Sequence, residues 1–201
     1  MLKVITHEPR PLAAFGARAS DTVARRLSGA GISVMTGARA LAVTAGALML
    51  EDGEPLAVDV AIALPRLTGP AVAGLPNDDD GFMPVDAYGR VRGQEEVWAV
   101  GDMTTRPLKQ GGLAAQQADV AATAIAARAG EAVRVVPYDP VLRGLLLTGG
   151  EPEFLDKLPG APPFSHSSSQ SLWWPPQKVA GRHLAPYLKS LGAPRLPGDA
   201  A

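Results

Sequence analysis

Two neighbouring stretches decide the fold: VWAVGD at residues 97–102 and KQGGLAAQQA at residues 109–118. The first is a short apolar run that closes in Gly-Asp, which is typical of a buried strand ending in a turn. The second opens with two glycines and continues with apolar residues at helical spacing until Gly130, which predicts a helix. Strand, turn and helix in this order indicate an α/β fold.

The same residues indicate a binding site. A carboxylate just past a buried strand, here Asp102, can accept hydrogen bonds from a polyol, and Gly101 lets a ligand approach the backbone. The helix that starts at Gly111 and Gly112 points free N–H groups and its positive dipole end at the same place. A flavin ring suits such a site because its reduction develops negative charge near N1 and O2. The alternative is a plain strand–turn–helix with a solvated Asp102.

The N-terminal part predicts a strand–helix–strand unit. Leu2–Thr6 is a short apolar strand, and Ser20 is placed to cap a helix. Ile32–Met35 follows as a second strand, and this order is typical of a parallel pair with a helical crossover. Residues 40–64 then predict a small antiparallel meander that feeds a last buried strand, Val60–Leu64.

Beyond this meander the chain divides at Pro- and Gly-rich segments. Residues 70–81 form the clearest predicted domain boundary. Past Pro137, an apolar strand is expected at Val141–Thr148, a Pro/Ser loop at 159–171 and a short amphipathic helix at 177–191. We expect three regions, which are 1–68, 69–135 and 136–201.

Composition excludes several classes of protein. The 201 residues carry a net charge of −1, with 46% hydrophobic and 19% charged residues. This indicates a globular chain without the basic field that nucleic acid requires or the roughly 20 apolar residues of a membrane span. The absence of cysteine removes thiol chemistry, and three separated histidines give no metal spacing. No leader-like start is present, so a cytoplasmic location is expected.

Taken together, residues 97–118 resemble the closing FAD motif of the flavoproteins with two dinucleotide-binding domains, the pyridine nucleotide-disulfide oxidoreductase superfamily. The apolar strand, Gly-Asp and downstream Lys-Gln-Gly-Gly resemble type II NADH dehydrogenases and sulfide:quinone reductases most. Residues 1–68 resemble the later part of an NAD(P)-binding domain, starting at its second strand, which would be Leu2–Thr6. The expected fold is therefore α/β and partly Rossmann-like, with a small antiparallel meander and a C-terminal α+β region.

The resemblance implies roles for particular residues. Gly101 and Asp102 would form the turn that binds the ribityl chain of FAD. Lys109 would lie near the flavin or the electron acceptor. The backbone at Gln110, Gly111 and Gly112 would face the flavin pyrimidine ring.

A further role follows for NAD(P)H, whose adenosine ribose is held by an acid at the end of the second strand of its domain. Glu8 is the nearest such acid in the sequence. Its alternative is a solvated glutamate in a turn.

The resemblance also implies a reaction, in which hydride passes from NAD(P)H to FAD and electrons pass to an acceptor such as a quinone. No Gly-x-Gly-x-x-Gly follows a strand in this sequence, whereas the family carries one for each cofactor. We expect both upstream of Met1. Sulfide oxidation and disulfide reduction are disfavoured because the chain has no cysteine and no counterpart of the reductases' His-Glu pair. The alternative is a truncated, non-catalytic half that needs a partner chain with the missing strands.

The missing strands also predict a partner, because the first strands of both dinucleotide-binding domains would lie outside this sequence. Strands without neighbours recruit another chain, so a homodimer or a partner chain is expected. Trp173 and Trp174 beside the basic helix at 177–191 can lie at a membrane surface, or can simply cover the C-terminal core. A peripheral membrane contact is therefore one of two interpretations of this segment.

Overall fold

In a computed structural model of the chain, residues 1–159, 164–174 and 182–191 are described. The architecture is α/β, as the sequence predicts, with three small sheets and three α-helices among these residues. Backbone contacts divide the chain into two compact units. The first unit comprises residues 1–66 and 143–172, and the second comprises 67–142 with the described residues from Trp173 onward.

The first unit begins with the predicted strand–helix–strand. Strand β1 (Lys3–Ile5) pairs in parallel with β2 (Ser33–Met35), with Val4 opposite Val34, and helix α1 (Ala17–Gly29) connects them. Parallel pairing requires such a crossover because the chain must return to the same end of the sheet. The prediction of a parallel pair is confirmed.

The start of α1 differs from the prediction. Gly16 and not Ser20 is the N-cap residue, and Ser20 lies inside the helix, 1% exposed. Gly16 has φ +88°, and a Cβ there would lie 2.9 Å from the Cβ of Ser165. Only glycine fits this close approach without strain, so the helix begins one turn earlier than the cap signal indicates.

The meander is an antiparallel sheet of β3 (Ala40–Thr44), β4 (Ala47–Leu50) and β5 (Leu56–Ala57). The predicted buried strand Val60–Leu64 is wrong. Val60, Ile62 and Leu64 are 79%, 88% and 96% exposed, and no described strand pairs with them. An apolar run becomes a strand only where a neighbour accepts its hydrogen bonds and covers its side chains.

A third sheet completes the first unit, with β6 (Leu142–Leu146), β7 (Glu153–Lys157) and β8 (Ser165–Ser168) in that order. Strand β6 confirms the strand expected at 141–148. Strand β8 corrects the predicted loop at 159–171, because backbone pairing with β7 outweighs its Ser-rich composition. Leu155 packs with Ala19 and Val23 of α1 to form the core of this unit.

The core of the second unit consists of Met83, Val85, Val91 and Ala99. The predicted strand at 97–100 is wrong, because among the described residues it forms a single bridge, between Trp98 and Arg90, and no neighbouring strand extends the pairing. Helix α2 (Gly111–Arg128) confirms the predicted helix, and it buries Leu113, Ala115, Gln117 and Ala121.

The last described helix, α3 (Leu184–Ser190), lies within the range predicted at 177–191, of which 177–181 fall outside the described residues. Trp173 is 8% exposed, whereas Trp174 is 87% exposed. None of the described helices is long and apolar enough to cross a membrane.

Candidate functional site

The Gly101–Asp102 turn lies directly against helix α2. Gly101 has φ +75°, and a Cβ there would lie 3.2 Å from the Cβ of Ala114. Its N–H donates to Oε1 of Gln117 at 2.7 Å, and its carbonyl accepts from Oγ1 of Thr104 at 2.9 Å. The turn is therefore fixed by a backbone conformation that favours glycine and by two hydrogen bonds.

Asp102 follows within a single 3-10 turn, Gly101–Met103, and its side chain is exposed. In the described part of the chain its carboxylate accepts no hydrogen bond. A carboxylate ordered by its backbone but without a protein donor is available to ligand hydroxyl groups.

Lys109 lies close to this carboxylate and is held by the protein. Its Nζ lies 3.9 Å from the centroid of the Phe82 ring and donates to the carbonyl of Thr104. Burial lowers the pKa of Lys109, while the charges of Asp102 and Asp78 act in the opposite direction. The ammonium therefore supplies positive charge beside Asp102 from a fixed position.

Helix α2 begins beside this turn with Gly111, after Gln110 in extended conformation, and no side chain caps its N-terminus. The first-turn N–H groups of a helix have no acceptor within the helix. Gly111 is exposed and Gly112 is half-buried, so the backbone here is accessible. These residues and Asp102 belong to one compact unit, and α2 contacts the Gly101–Met103 turn.

Two glutamines that the sequence did not single out for the site hold it together. Gln117 binds the Gly101 N–H, and its Nε2 lies 3.5 Å from the hydroxyl of Tyr138. Gln116 clamps Val141 reciprocally, since its Oε1 accepts from the Val141 N–H and its Nε2 donates to the Val141 carbonyl, both at 2.9 Å. The only sequence signal is a polar pair in an apolar helix.

Arg106 and Tyr138 form a second contact that the sequence did not indicate. The guanidinium carbon of Arg106 lies 4.3 Å from the centroid of the Tyr138 ring, and Nη2 donates to the carbonyl of Asp86 at 2.9 Å. Burial raises the pKa of Tyr138, although Gln117 and Arg106 counteract it. Tyr138 is thus a neutral packing and hydrogen-bonding residue at ordinary pH.

Glu8 lies in the first unit, three residues beyond the end of β1, and is half-buried. Its N–H donates to Oγ1 of Thr6 at 3.1 Å, and its carbonyl accepts from the Gly37 N–H at 3.0 Å. The backbone of Glu8 is therefore anchored where the parallel pair ends. Among the described residues, no group of three or more His, Asp or Glu side chains could hold a metal ion.

Residues 2–129 match the model of a protein family described as "Pyridine nucleotide-disulphide oxidoreductase". No curated protein matches the chain significantly.

Solved structures share the fold at low sequence identity. A ferredoxin reductase from Rhodopseudomonas palustris is 23% identical with a TM-score of 0.55, over 78% of this chain and 41% of the other. The sulfide:quinone oxidoreductase from Aquifex aeolicus is 16% identical with a TM-score of 0.65, over 84% and 46%. An FAD-dependent pyridine nucleotide-disulphide oxidoreductase from Desulfovibrio vulgaris is 19% identical with a TM-score of 0.52, over 78% and 42%. The chain thus spans less than half the length of these proteins.

Proposed function

Because the chain belongs to the pyridine nucleotide-disulphide oxidoreductase family, we propose that it is part of an FAD-dependent enzyme that transfers hydride from NAD(P)H to FAD and electrons to an acceptor. The observation that carries this proposal is the exposed Asp102 carboxylate, without a hydrogen-bond donor in the described chain, beside the uncapped N-terminus of α2.

The described residues fit a flavin in three respects. Gly101 brings the turn against α2 where a Cβ would be crowded, Asp102 offers two acceptor oxygens, and Gly111 leaves backbone N–H groups accessible. Together they supply acceptors for a polyol chain next to donors for an electron-rich ring edge. A turn that merely ended a strand would need neither the polyol acceptors nor the ring-edge donors.

Bound FAD supplies the hydride acceptor, and the residues of this chain bind and orient it. Asp102 accepts hydrogen bonds from the ribityl hydroxyls. The backbone at Gln110, Gly111 and Gly112 faces the pyrimidine ring, where the N-terminal end of α2 stabilises negative charge. No residue of this chain is required as a general acid or base.

Two charged residues have supporting roles in the proposal. Lys109, held over Phe82, places positive charge next to the flavin or the acceptor. Glu8 lies just beyond β1, which in this proposal is the second strand of the complete NAD(P)-binding domain. The acid that holds the adenosine ribose follows that strand, so Glu8 has this role.

For the acceptor we propose a small molecule such as a quinone. Within the family we propose that the chain is of the type II NADH dehydrogenase kind. The chain has no cysteine, so these residues carry no sulfide or disulfide chemistry. Trp174, which is 87% exposed, offers an apolar contact for a membrane surface where a quinone is found. The ferredoxin reductase among the similar folds makes a protein acceptor the competing choice.

The test is flavin retention in a form of the chain joined to a family N-terminal segment that carries the glycine-rich strand. Asp102→Ala should weaken FAD binding by roughly 1.5–3 kcal/mol, since it removes a charge-assisted hydrogen bond. Asp79→Ala is the matched control because Asp79 is an exposed acid in the same unit. Equal flavin release from the two variants would return Asp102 to the role of a solvated turn residue.

The second candidate is a non-catalytic half that functions only with a partner chain. The exposed run at Val60, Ile62 and Leu64 favours it, because these apolar side chains lack a covering strand in the described structure. This candidate would be supported over the enzyme by two results together. The joined form would bind neither FAD nor NAD(P)H, and the chain would form a stable complex with the N-terminal segment when the two are supplied separately.

A further inference from the structure

A second site lies in the first unit, at the start of α1. A cavity of about 300 Å³ is lined by Ala17, Arg18, Phe164, Ser165 and His166. This volume is at the lower end of the range of roughly 300–1,000 Å³ found for small-molecule pockets. The cavity contains none of the residues assigned to FAD or NAD(P)H above.

His166 is oriented by a buried carboxylate. Asp156 on β7 lies directly opposite His166 on β8, and its Oδ1 is 2.6 Å from Nδ1 of the imidazole. Asp156 is only 6% exposed, so its charge needs this donor. With Nδ1 engaged, Nε2 is the ring nitrogen left for a ligand, as it is for histidines oriented by a carboxylate in other sites.

Arg18 and Ser165 add uncommitted groups to the same cavity. In the described chain the Arg18 guanidinium makes no hydrogen bond or ion pair, and the Ser165 hydroxyl makes no hydrogen bond. Phe164, 59% exposed, adds an aromatic wall. The cavity therefore combines a cation, a hydroxyl and an oriented imidazole with one apolar face.

A larger cavity of about 520 Å³ lies along α1, and its arginines differ from Arg18 in having partners. There Arg26 is paired with Glu153 at 2.9 Å, and Arg25 donates to Oγ1 of Thr22 at 3.0 Å. Its cations already have partners, so an anion would have to displace them. Among the residues that the structure describes, Arg18 has no such competitor.

We propose that the cavity at Arg18 and His166 binds a small phosphomonoester whose organic group is planar and apolar. A phosphate offers the negative charge that pairs with a guanidinium, and it both accepts and, when singly protonated, donates hydrogen bonds. It therefore satisfies Nε2 of His166 whether the ring is neutral or protonated. The planar group lies on the phenyl ring of Phe164.

The experiment follows the ring signals of the three histidines of the 201-residue chain by NMR during titration with phenyl phosphate, inorganic phosphate or benzoate. Phenyl phosphate should shift the His166 signals saturably, leave those of His7 unchanged, and bind several-fold more tightly than the other two probes. Equal binding of benzoate would overturn the choice of phosphate, and the absence of saturation would overturn the site.

Substitutions distinguish binding at this cavity from nonspecific attraction of the phosphate to positive charge. Arg18→Gln should weaken phenyl phosphate binding by roughly fivefold or more, since an ion pair at an exposed position is lost. Arg10→Gln is the control, because Arg10 is exposed in the same unit and is paired with Asp21 at 3.2 Å. Phe164→Ala should reduce phenyl phosphate affinity to that of inorganic phosphate. Equal weakening by Arg10→Gln and Arg18→Gln would overturn the proposal.

Discussion

At the scale of single residues, Gln117 determines where Asp102 lies. It is 5% exposed and accepts the Gly101 N–H at 2.7 Å, so it fixes the turn that carries the carboxylate. Gln116, its neighbour on α2, fixes Val141 instead. Two adjacent side chains of one helix therefore anchor two separate backbone segments.

This arrangement predicts paired effects of two substitutions. Gln117→Leu leaves the Gly101 N–H without its acceptor and should destabilise the chain by roughly 1–3 kcal/mol. Amide hydrogen exchange should become faster at Gly101 in Gln117→Leu and at Val141 in Gln116→Leu, with little effect of either variant on the other amide. Unchanged exchange at both amides would show that the glutamines only fill space.

The sequence predicted the turn after residue 100 and the start of the helix at Gly111 better than the contacts that hold them in place. Gly101, Asp102, Gly111 and Gly112 follow from local signals, because turns and helix starts depend on neighbouring residues. The partnership of Gln117 with Gly101 spans 16 positions and depends on how α2 packs, which no local pattern contains. Roles toward FAD for these residues, and for Glu8 toward NAD(P)H, stay predictions.

At the scale of elements, Glu153 ties β7 to its neighbours. It accepts from Oγ of Ser167 on β8 at 2.7 Å and from Nη2 of Arg26 on α1 at 2.9 Å. These two contacts, the Ser167 hydrogen bond foremost, hold the pKa of Glu153 below its ordinary value. One carboxylate thus links a helix to two strands.

The depressed pKa gives a pH dependence with a definite sign. The stabilisation is fully present above the unfolded-state pKa of about 4.3 and is lost as the pH falls through the lower folded-state pKa. Glu153→Gln should therefore lower the free energy of unfolding by roughly 0.5–1 kcal/mol at neutral pH, and by less at lower pH. Chemical denaturation from pH 7 to pH 3 checks this, with Glu151→Gln as an exposed control. A difference that does not change with pH would contradict it.

Element predictions succeeded for the N-terminal strand–helix–strand unit and for the long helix α2. The parallel β1–β2 pair and α2 follow from their patterns, whereas Val60–Leu64 and β8 do not. A strand exists only with a neighbour, and its neighbour is set by tertiary structure. Composition alone therefore assigned an apolar run to a strand and a Ser-rich strand to a loop.

At the scale of the whole molecule, exposed apolar side chains predict association. Val60, Ile62 and Leu64 are nearly fully exposed, and an uncovered apolar segment recruits another chain. We expect a dimer or a larger species at tens of micromolar, measured by light scattering. Replacing Ile62 and Leu64 with Ser should shift the population toward monomer. Ala73→Ser serves as the control, because Ala73 is an exposed apolar residue outside this segment. A compact monomer of the unsubstituted chain would contradict this expectation.

We propose that this chain contributes the flavin-facing part of an FAD site and depends on a glycine-rich strand for the rest. The most direct measurement is the visible absorption spectrum after desalting, for the chain alone and for the chain joined to a family N-terminal segment. We predict a colourless isolated chain and a yellow joined form whose flavin is bleached by NAD(P)H without oxygen. Stoichiometric flavin in the isolated chain, or none in a folded joined form, would show that the FAD site is not divided in this way.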